Sequence, residues 1–357
     1  MSSMGNKVKI EIFGESHSAA IGMTLSGFPA GVKIDEDELY RFMLRRAPGR
    51  DATSTARKEA DKPEFLCGIV NGVTTGAPIT AIIRNTNQHS SDYEKLRNTP
   101  RPSHADFAAY RKYDGYNDIR GGGAFSGRLT APLCIGGGLA KQYLAYEGYA
   151  DIGAHALMIG GVYDTPFDMV NPTNILEAMN KDFPTLSDEA GEKMREVILQ
   201  AKADGDSVGG IIECAIDGVY AGLGGPLFEG IESKLSSALF AIPGVKGVEF
   251  GSGFECAKMR GSEHNDEFEY NGPVVVTKTN NSGGIQGGIT NGMPIIFRVA
   301  IKPTPSIAKP QNTVNLETKE NVTLEIGGRH DPCIVARAVP VVEAVAALCI
   351  MDILEEN

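Results

Sequence analysis

The stretch from Arg101 to Gly138 reads RPSHADFAAYRKYDGYNDIRGGGAFSGRLTAPLCIGGG and joins His104 to four arginines (Arg101, Arg111, Arg120, Arg128) and the triplet Gly121-Gly122-Gly123. Arginine presents a planar fork of donors that suits phosphate and carboxylate. Glycine lets backbone N–H groups come close to a ligand. A histidine beside a bound anion can give or take a proton near neutrality. The stretch therefore holds the parts of a site that keeps a phosphorylated anion next to an acid or base. A second arginine group, Arg41, Arg45, Arg46, Arg50 and Arg57, precedes it. A solvated charged surface would also explain such clusters, but these are interleaved with Pro and Gly.

Two other stretches carry candidate chemistry. Thr279 to Ser306 contains two Gly-Gly pairs and Asn291-Gly292, then ends at Lys302-Pro303-Thr304-Pro305-Ser306. A lysine with hydroxyls at a Pro-stiffened strand end suits a phosphate such as that of flavin mononucleotide (FMN); an ordinary hairpin with a polar edge loop fits the same residues. Gly14-Glu15-Ser16-His17 follows an alternating segment. Ser16 and His17 do not form a GxSxG elbow, and a loop histidine is more often structural than catalytic.

The elements that must position these residues follow from periodicity and punctuation. Lys7–Phe13 alternates and predicts a strand. Residues 35–47 predict a helix with Asp35 as N-cap, Glu38 three residues on, and Pro48-Gly49 as the stop. Two strands are expected around Asn71-Gly72. Ser103 is read as the N-cap of a short helix, which puts His104 at the positive end of a dipole that disfavours its protonated form unless an anion lies nearby. Ser126 and Arg128 lead the next helix, where Gly136, Gly137 and Gly138 cost about 1 kcal/mol each against alanine and so point to close helix packing. Helices are also expected at 188–203, 227–240 and 341–354, and strands at 207–216, 273–278 and 294–301.

Composition narrows the class. The chain has 357 residues, 42% hydrophobic and 22% charged, and a net charge of −11. Those values fit a globular protein and argue against general nucleic-acid binding. No run of about 18 apolar residues predicts a membrane span. The N-terminus lacks an apolar signal core, so a cytoplasmic location is expected. Six scattered cysteines predict reduced thiols, with no disulfide and no metal site. A Walker P-loop and a post-strand GxGxxG are both absent, which weighs against P-loop and Rossmann folds. With no repeat or low-complexity linker, residues 1–357 read as a single domain.

Taken together, the segments GESH (14–17), RR-APG (45–49), TARKEAD (55–61), TTGAPI (74–79), RPSHAD (101–106), RGGGAFSGR (120–128), NNSGGIQGGITNG (280–292), KPTPSI (302–307) and RHDP (329–332) resemble those of chorismate synthases, in the family's order and over nearly the whole chain. The resemblance implies a 1,4-anti elimination of phosphate and a proton from 5-enolpyruvylshikimate 3-phosphate, giving chorismate. It implies reduced FMN, which lends an electron transiently with no net redox change; NADPH enters only if the protein also reduces its own flavin. Carried over residue by residue, His17 would protonate the leaving phosphate and His104 would stabilise the reduced flavin. Asp331, with Ser16 and Ser126, would assist proton removal. The flavin would contact Ser126, Gly244, Gly287, the Lys302-Pro303-Thr304-Pro305-Ser306 run and Arg329. Arg45, Arg46, Arg50, Arg57 and Arg128 would bind the substrate's phosphate and carboxylates. The implied fold is α+β, a β-α-β sandwich of two antiparallel sheets flanking a core layer of helices, assembled as a homotetramer.

The sequence departs from the family's usual pattern at Ser18 (for glycine), Ser103 (for glycine), and Ala124 and Phe125 (for arginine and serine). Ala52 stands where an arginine is familiar, with Arg50 two residues earlier. Two other functions fit parts of the pattern. A flavin reductase would use the glycine-rich and KPTPS segments, and a non-catalytic anion-binding module would use the arginines but not the paired histidines.

Overall fold

Two five-stranded antiparallel sheets enclose a layer of helices. The computed structural model describes residues 2–49, 52–54, 61–85, 96–327 and 330–356. The first sheet comprises β1 (Ser3–Met4), β2 (Lys9–Gly14), β3 (Ala20–Ser26), β4 (Glu64–Cys67) and β5 (Ile79–Arg84), in the order β1-β2-β3-β5-β4. The second comprises β6 (Asp151–Ile159), β7 (Val162–Tyr163), β8 (Gly210–Asp217), β9 (Val245–Phe250) and β10 (Ile295–Ile301), in the order β9-β10-β8-β6-β7. The expected α+β sandwich is what the chain forms.

Three helices make the middle layer: α1 (Glu36–Arg46), α3 (Thr130–Tyr146) and the C-terminal helix (Val335–Glu356), while α2 (Asp106–Lys112) is peripheral. α3 packs on the first sheet, the C-terminal helix on the second, and the two pack on each other. The glycines of α3 make this possible. A Cβ on Gly137 would lie 2.3 Å from Ala344 Cα, one on Gly136 2.6 Å from Ile10 Cδ1, and one on Gly138 2.5 Å from Leu39 Cδ1. The close packing the sequence suggested is present, and each glycine admits a different neighbour.

Most elements fall where periodicity places them, with three instructive shifts. Asp35 caps α1 by accepting from Glu38 N at 2.8 Å. The C-terminal helix starts at Val335, six residues before the expected start, and carries Pro340 within it. The segment 227–240 splits into a short turn at Leu227–Glu229 and a helix at Ile231–Leu239, because Gly230 is extended. Asn71-Gly72 does turn a hairpin, both residues having positive φ, but its arms are only Ile69–Val70 and Val73–Thr74.

One buried network ties the helix layer together. Glu343 receives two hydrogen bonds from Arg45, at 2.8 and 2.6 Å, and one from Lys141 at 2.6 Å. Burial alone would raise the Glu343 carboxyl, but the two cations outweigh it and bring it down to about 2.

Candidate active site

At one end of the helix layer a cavity of about 710 Å³ opens between the two sheets' connecting loops. That lies within the roughly 300–1,000 Å³ typical of small-molecule sites. Its wall draws on α1 (Arg46), the 101–106 loop, the glycine triplet and Ser126–Arg128. The remainder comes from the turn at Gly244, the Lys302–Ser306 run and the start of the C-terminal helix.

The His104 corner is a hydrogen-bonded cluster. His104 Nδ1 lies 2.6 Å from Asp106 Oδ1, and Arg101 donates to Asp106 through Nε at 2.7 Å and Nη2 at 2.8 Å. The carboxylate therefore takes the Nδ1 proton's hydrogen bond and leaves Nε2 directed elsewhere. The Cε1–Nε2 edge faces Gly122, where a Cβ would lie only 3.3–3.4 Å away. Burial would raise the Asp106 pKa, but hydrogen bonds from Arg101 and His104 hold it well below the usual carboxylate range. Arg101 also donates to Ser306 Oγ at 3.2 Å, joining this corner to the Lys302–Ser306 run.

The local structure here differs from the one expected. Ser103 does not cap a helix: α2 begins at Asp106, its N-cap Ala105 makes no side-chain bond, and the helix has 7 residues. Ser103 instead takes φ +59°, and its carbonyl and Oγ accept from Lys302 Nζ at 2.5 and 2.9 Å. Asp106 and Arg101, rather than a helix dipole, set the environment of His104.

A second corner concentrates positive charge. Arg46 and Arg128 both bind the buried carboxylate of Asp61. Arg46 also donates to Thr130 Oγ1 and to Gly127 O, each at 3.1 Å. Burial would raise Asp61, but the two guanidinium groups outweigh it and lower its pKa. Asp331 accepts from Arg337 Nη1 at 2.5 Å, and Arg337 Nε donates to Arg46 O at 3.1 Å. At this corner three guanidinium groups thus gather around two carboxylates.

The third corner is the lysine run. Lys302 has a lowered pKa, mainly through burial and then through Lys246. Two lysines on a cavity wall suit an anion. Thr304 Oγ1 and His330 Nε2, both from residues on this wall, are buried without a hydrogen-bond partner among the described residues. Buried polar atoms rarely remain unpaired in a finished structure, so these two fit a ligand that supplies the missing partners.

A family model for chorismate synthase matches residues 8–354 of this chain. The chain belongs to the chorismate synthase family. It is 47% identical over 348 residues to a chorismate synthase of Korarchaeum cryptofilum, covering 98% of this chain and 96% of that protein. It is 48% identical over 349 residues to one of Thermococcus kodakarensis, again covering 98% and 96%. A solved structure described as the crystal structure of chorismate synthase superposes with a TM-score of 0.78 at 29% identity, covering 99% of this chain and 93% of that one. Family membership makes the protein an enzyme with a small-molecule substrate and a flavin cofactor.

Of the residues singled out in the sequence, the cavity wall includes Arg46, His104, Ser126, Arg128, Gly244, Asp331 and all five residues of 302–306. Ser16 and His17 lie just behind that wall: a Cβ on Gly121 would be 2.5 Å from Ser16 Oγ and 2.8 Å from His17 Nε2. Arg45 is not on the wall. Consecutive helix residues point about 100° apart, so with Arg46 in the cavity Arg45 turns into the helix layer, against Glu343. Gly287 sits in the turn between Ile285–Gln286 and Ile289–Thr290, also away from the wall. Arg50, Arg57 and Arg329 lie outside the described residues. Two departures from the family pattern are accommodated locally: Ser18 Oγ accepts from Glu15 N and has its one proton within reach of the Glu15 and Ala20 carbonyls, and Phe125 packs against Tyr113.

Arg101, which the sequence offered only as one of an arginine cluster, completes the site together with Asp106, Lys246, His330 and Arg337, to which the sequence assigned no role. Arg337 lies in an apolar helix where its sequence gives no hint of a buried partner. Asp106 is two residues from His104, and that spacing was the available signal.

Proposed function

We propose that this protein is a carbon–oxygen lyase that converts 5-enolpyruvylshikimate 3-phosphate to chorismate with reduced FMN. The observation that carries this reading is the meeting, in one cavity, of the Arg46–Arg128–Arg337 guanidinium groups with the Lys302–Ser306 run and its unpaired Thr304 hydroxyl. The substrate carries two carboxylates and a phosphate, which the arginine corner would bind. Arg46 and Arg128 are held by Asp61 but keep further donors, since each guanidinium has five N–H groups. Arg50 and Arg57 belong to the same proposed anion set.

The flavin's place is proposed at Ser126, Gly244 and residues 302–306, together with Arg329. Lys302 and Lys246 favour its phosphate, and Thr304 Oγ1 gains a partner. When bound, reduced FMN supplies an electron to the substrate transiently and recovers it. The protein's part is proton management and charge stabilisation. His17 donates a proton to the departing phosphate oxygen, with its ring beside Gly121. His104, its Nδ1 engaged by Asp106, presents Nε2 as the group that stabilises reduced flavin. Asp331, steadied by Arg337 and assisted by Ser16 and Ser126, directs proton removal.

We further propose a single domain acting as a cytoplasmic homotetramer. Among the described residues no helix is long and apolar enough to cross a membrane. Leu227, Phe228, Phe254 and Tyr270 are each about 80% exposed or more (82, 88, 82 and 79%), and such surface suits contacts between copies. Light scattering tests the assembly. NADPH use remains part of the proposal only if flavin reduction occurs with NADPH alone. The function is tested by anaerobic incubation of the protein with reduced FMN and the enolpyruvyl substrate, following phosphate release and diene absorbance. A folded, flavin-binding sample that releases no phosphate rules the reading out.

A further inference from the structure

The family correspondence gives His330 no chemical role. Its ring is half-buried on the cavity wall, and its Nε2 is buried with no hydrogen-bond partner among the described residues. The backbone carbonyls of Gly327 and Ile326 lie near enough to the ring to favour a proton on it. With Nε2 unpaired, those carbonyls favour the tautomer that carries the ring proton on Nδ1. Nε2 is left as a lone-pair acceptor. Burial and the nearby Arg101 guanidinium push the ring toward its neutral form, while the backbone carbonyls and Asp331 pull the other way, and the net shift is downward. An acceptor cut off from water is unfavourable until a donor reaches it. The cavity is where such a donor can arrive.

The kind of donor follows from the neighbours. Arg101, whose charge reaches His330 and disfavours its protonated form, donates to Ser306 Oγ at 3.2 Å and lies 3.1 Å from His104 Nδ1. His330 is thus on the side proposed for the flavin, whereas Arg46 and Arg128 are gathered by Asp61 at the other corner. A lone-pair nitrogen repels phosphate and carboxylate oxygens, which are acceptors only at neutral pH. It suits a ring N–H or a ribityl hydroxyl.

We infer that His330 is a flavin-binding residue, whose neutral Nε2 accepts a hydrogen bond from an N–H or O–H donor of the bound flavin. This rests on the proposal that the cavity holds FMN. The test is fluorescence titration of FMN, oxidised and reduced, into the full-length protein and its variants His330→Phe, His330→Ala, His330→Asn and His330→Gln. Phe and Ala abolish the acceptor; Asn and Gln restore a carbonyl oxygen. Loss of a buried partner predicts FMN binding weakened roughly tenfold in the Phe and Ala variants and within about threefold of the parent in at least one amide variant. Circular dichroism selects the folded members, and the two variants in each class cover one another. FMN affinity unchanged by Phe or Ala overturns the inference, as does an equal loss in all four folded variants. Weakened binding of the enolpyruvyl substrate alone also overturns it. A folded unaltered protein that fails to bind FMN overturns the proposed flavin site itself, and that outcome is visible before any variant is made.

Discussion

Asp106 Oδ1 stands 2.6 Å from His104 Nδ1, and Arg101 grips the same carboxylate. The pair fixes which ring nitrogen carries the proton and keeps Nε2 directed at the glycine triplet. Asp106→Asn weakens that control while nearly conserving volume. Turnover is predicted to fall by about a hundredfold, since an orienting carboxylate governs the tautomer of its histidine. Steady-state kinetics and near-UV circular dichroism check it; full activity in a folded variant removes His104 orientation from the account.

Asp61 joins Arg46 to Arg128 with its own side chain fully buried. Removing one partner of a buried charge group leaves the others uncompensated, at roughly 3–5 kcal/mol. Asp61→Asn should therefore lose on the order of 3 kcal/mol in urea denaturation and raise the substrate KM at least tenfold. A variant with parent stability and parent KM would show that the arginines need no such anchor.

Glu343 governs part of the acid stability. Its pKa is about 2 when folded against an ordinary 4.5, because Arg45 and Lys141 outweigh the effect of burial. A depressed carboxyl stabilises the fold above its unfolded pKa, and the contribution is lost as pH falls through the folded value. The contribution is on the order of 3 kcal/mol, present above about pH 4.5 and fading toward pH 2. Lys141 moves the other way: burial lowers its pKa. That is a constant penalty across the acid range, so the slope there belongs to carboxylates. Glu343→Gln should destabilise the protein strongly at pH 7, and the gap to the parent should narrow below pH 4. Denaturation curves at pH 7 and pH 3 measure this; a gap independent of pH contradicts it.

Ser103 holds φ +59° and binds Lys302 Nζ through Oγ at 2.9 Å. Left-handed backbone costs a non-glycine residue about 1 kcal/mol. Ser103→Gly is expected to relieve that strain and raise stability by up to about 1 kcal/mol, while FMN affinity drops a few-fold as Lys302 loses one restraint. Thermal melts and FMN titration read both effects. Lower stability together with unchanged FMN affinity would show that the serine has no bearing on Lys302.

Local rules account for much of this molecule. The Asp35 cap, the Asn71-Gly72 turn and the alternating strands depend on neighbours in sequence, so they are legible there. The glycines of α3 signalled close packing, but not that Ala344 would be the partner of Gly137. Long-range pairing is where local reading stops. Arg45 and Arg46 look alike in sequence, yet the helix sends one to Glu343 and the other to the cavity. Ser103 has the residue type of a cap and instead serves Lys302, 199 positions away. Arg337 gives no local sign that it meets Asp331. The site was legible as a set of motifs through family resemblance, whereas its salt-bridge wiring belongs to the tertiary structure.

The most direct test of the central claim is the stoichiometry of the reaction, measured without oxygen, with chemically reduced FMN and the enolpyruvyl substrate in excess over flavin. Many turnovers per flavin are expected, with one phosphate released for each chorismate formed and no net consumption of reductant. Phosphate release without diene formation, or reductant consumed once per turnover, would contradict it.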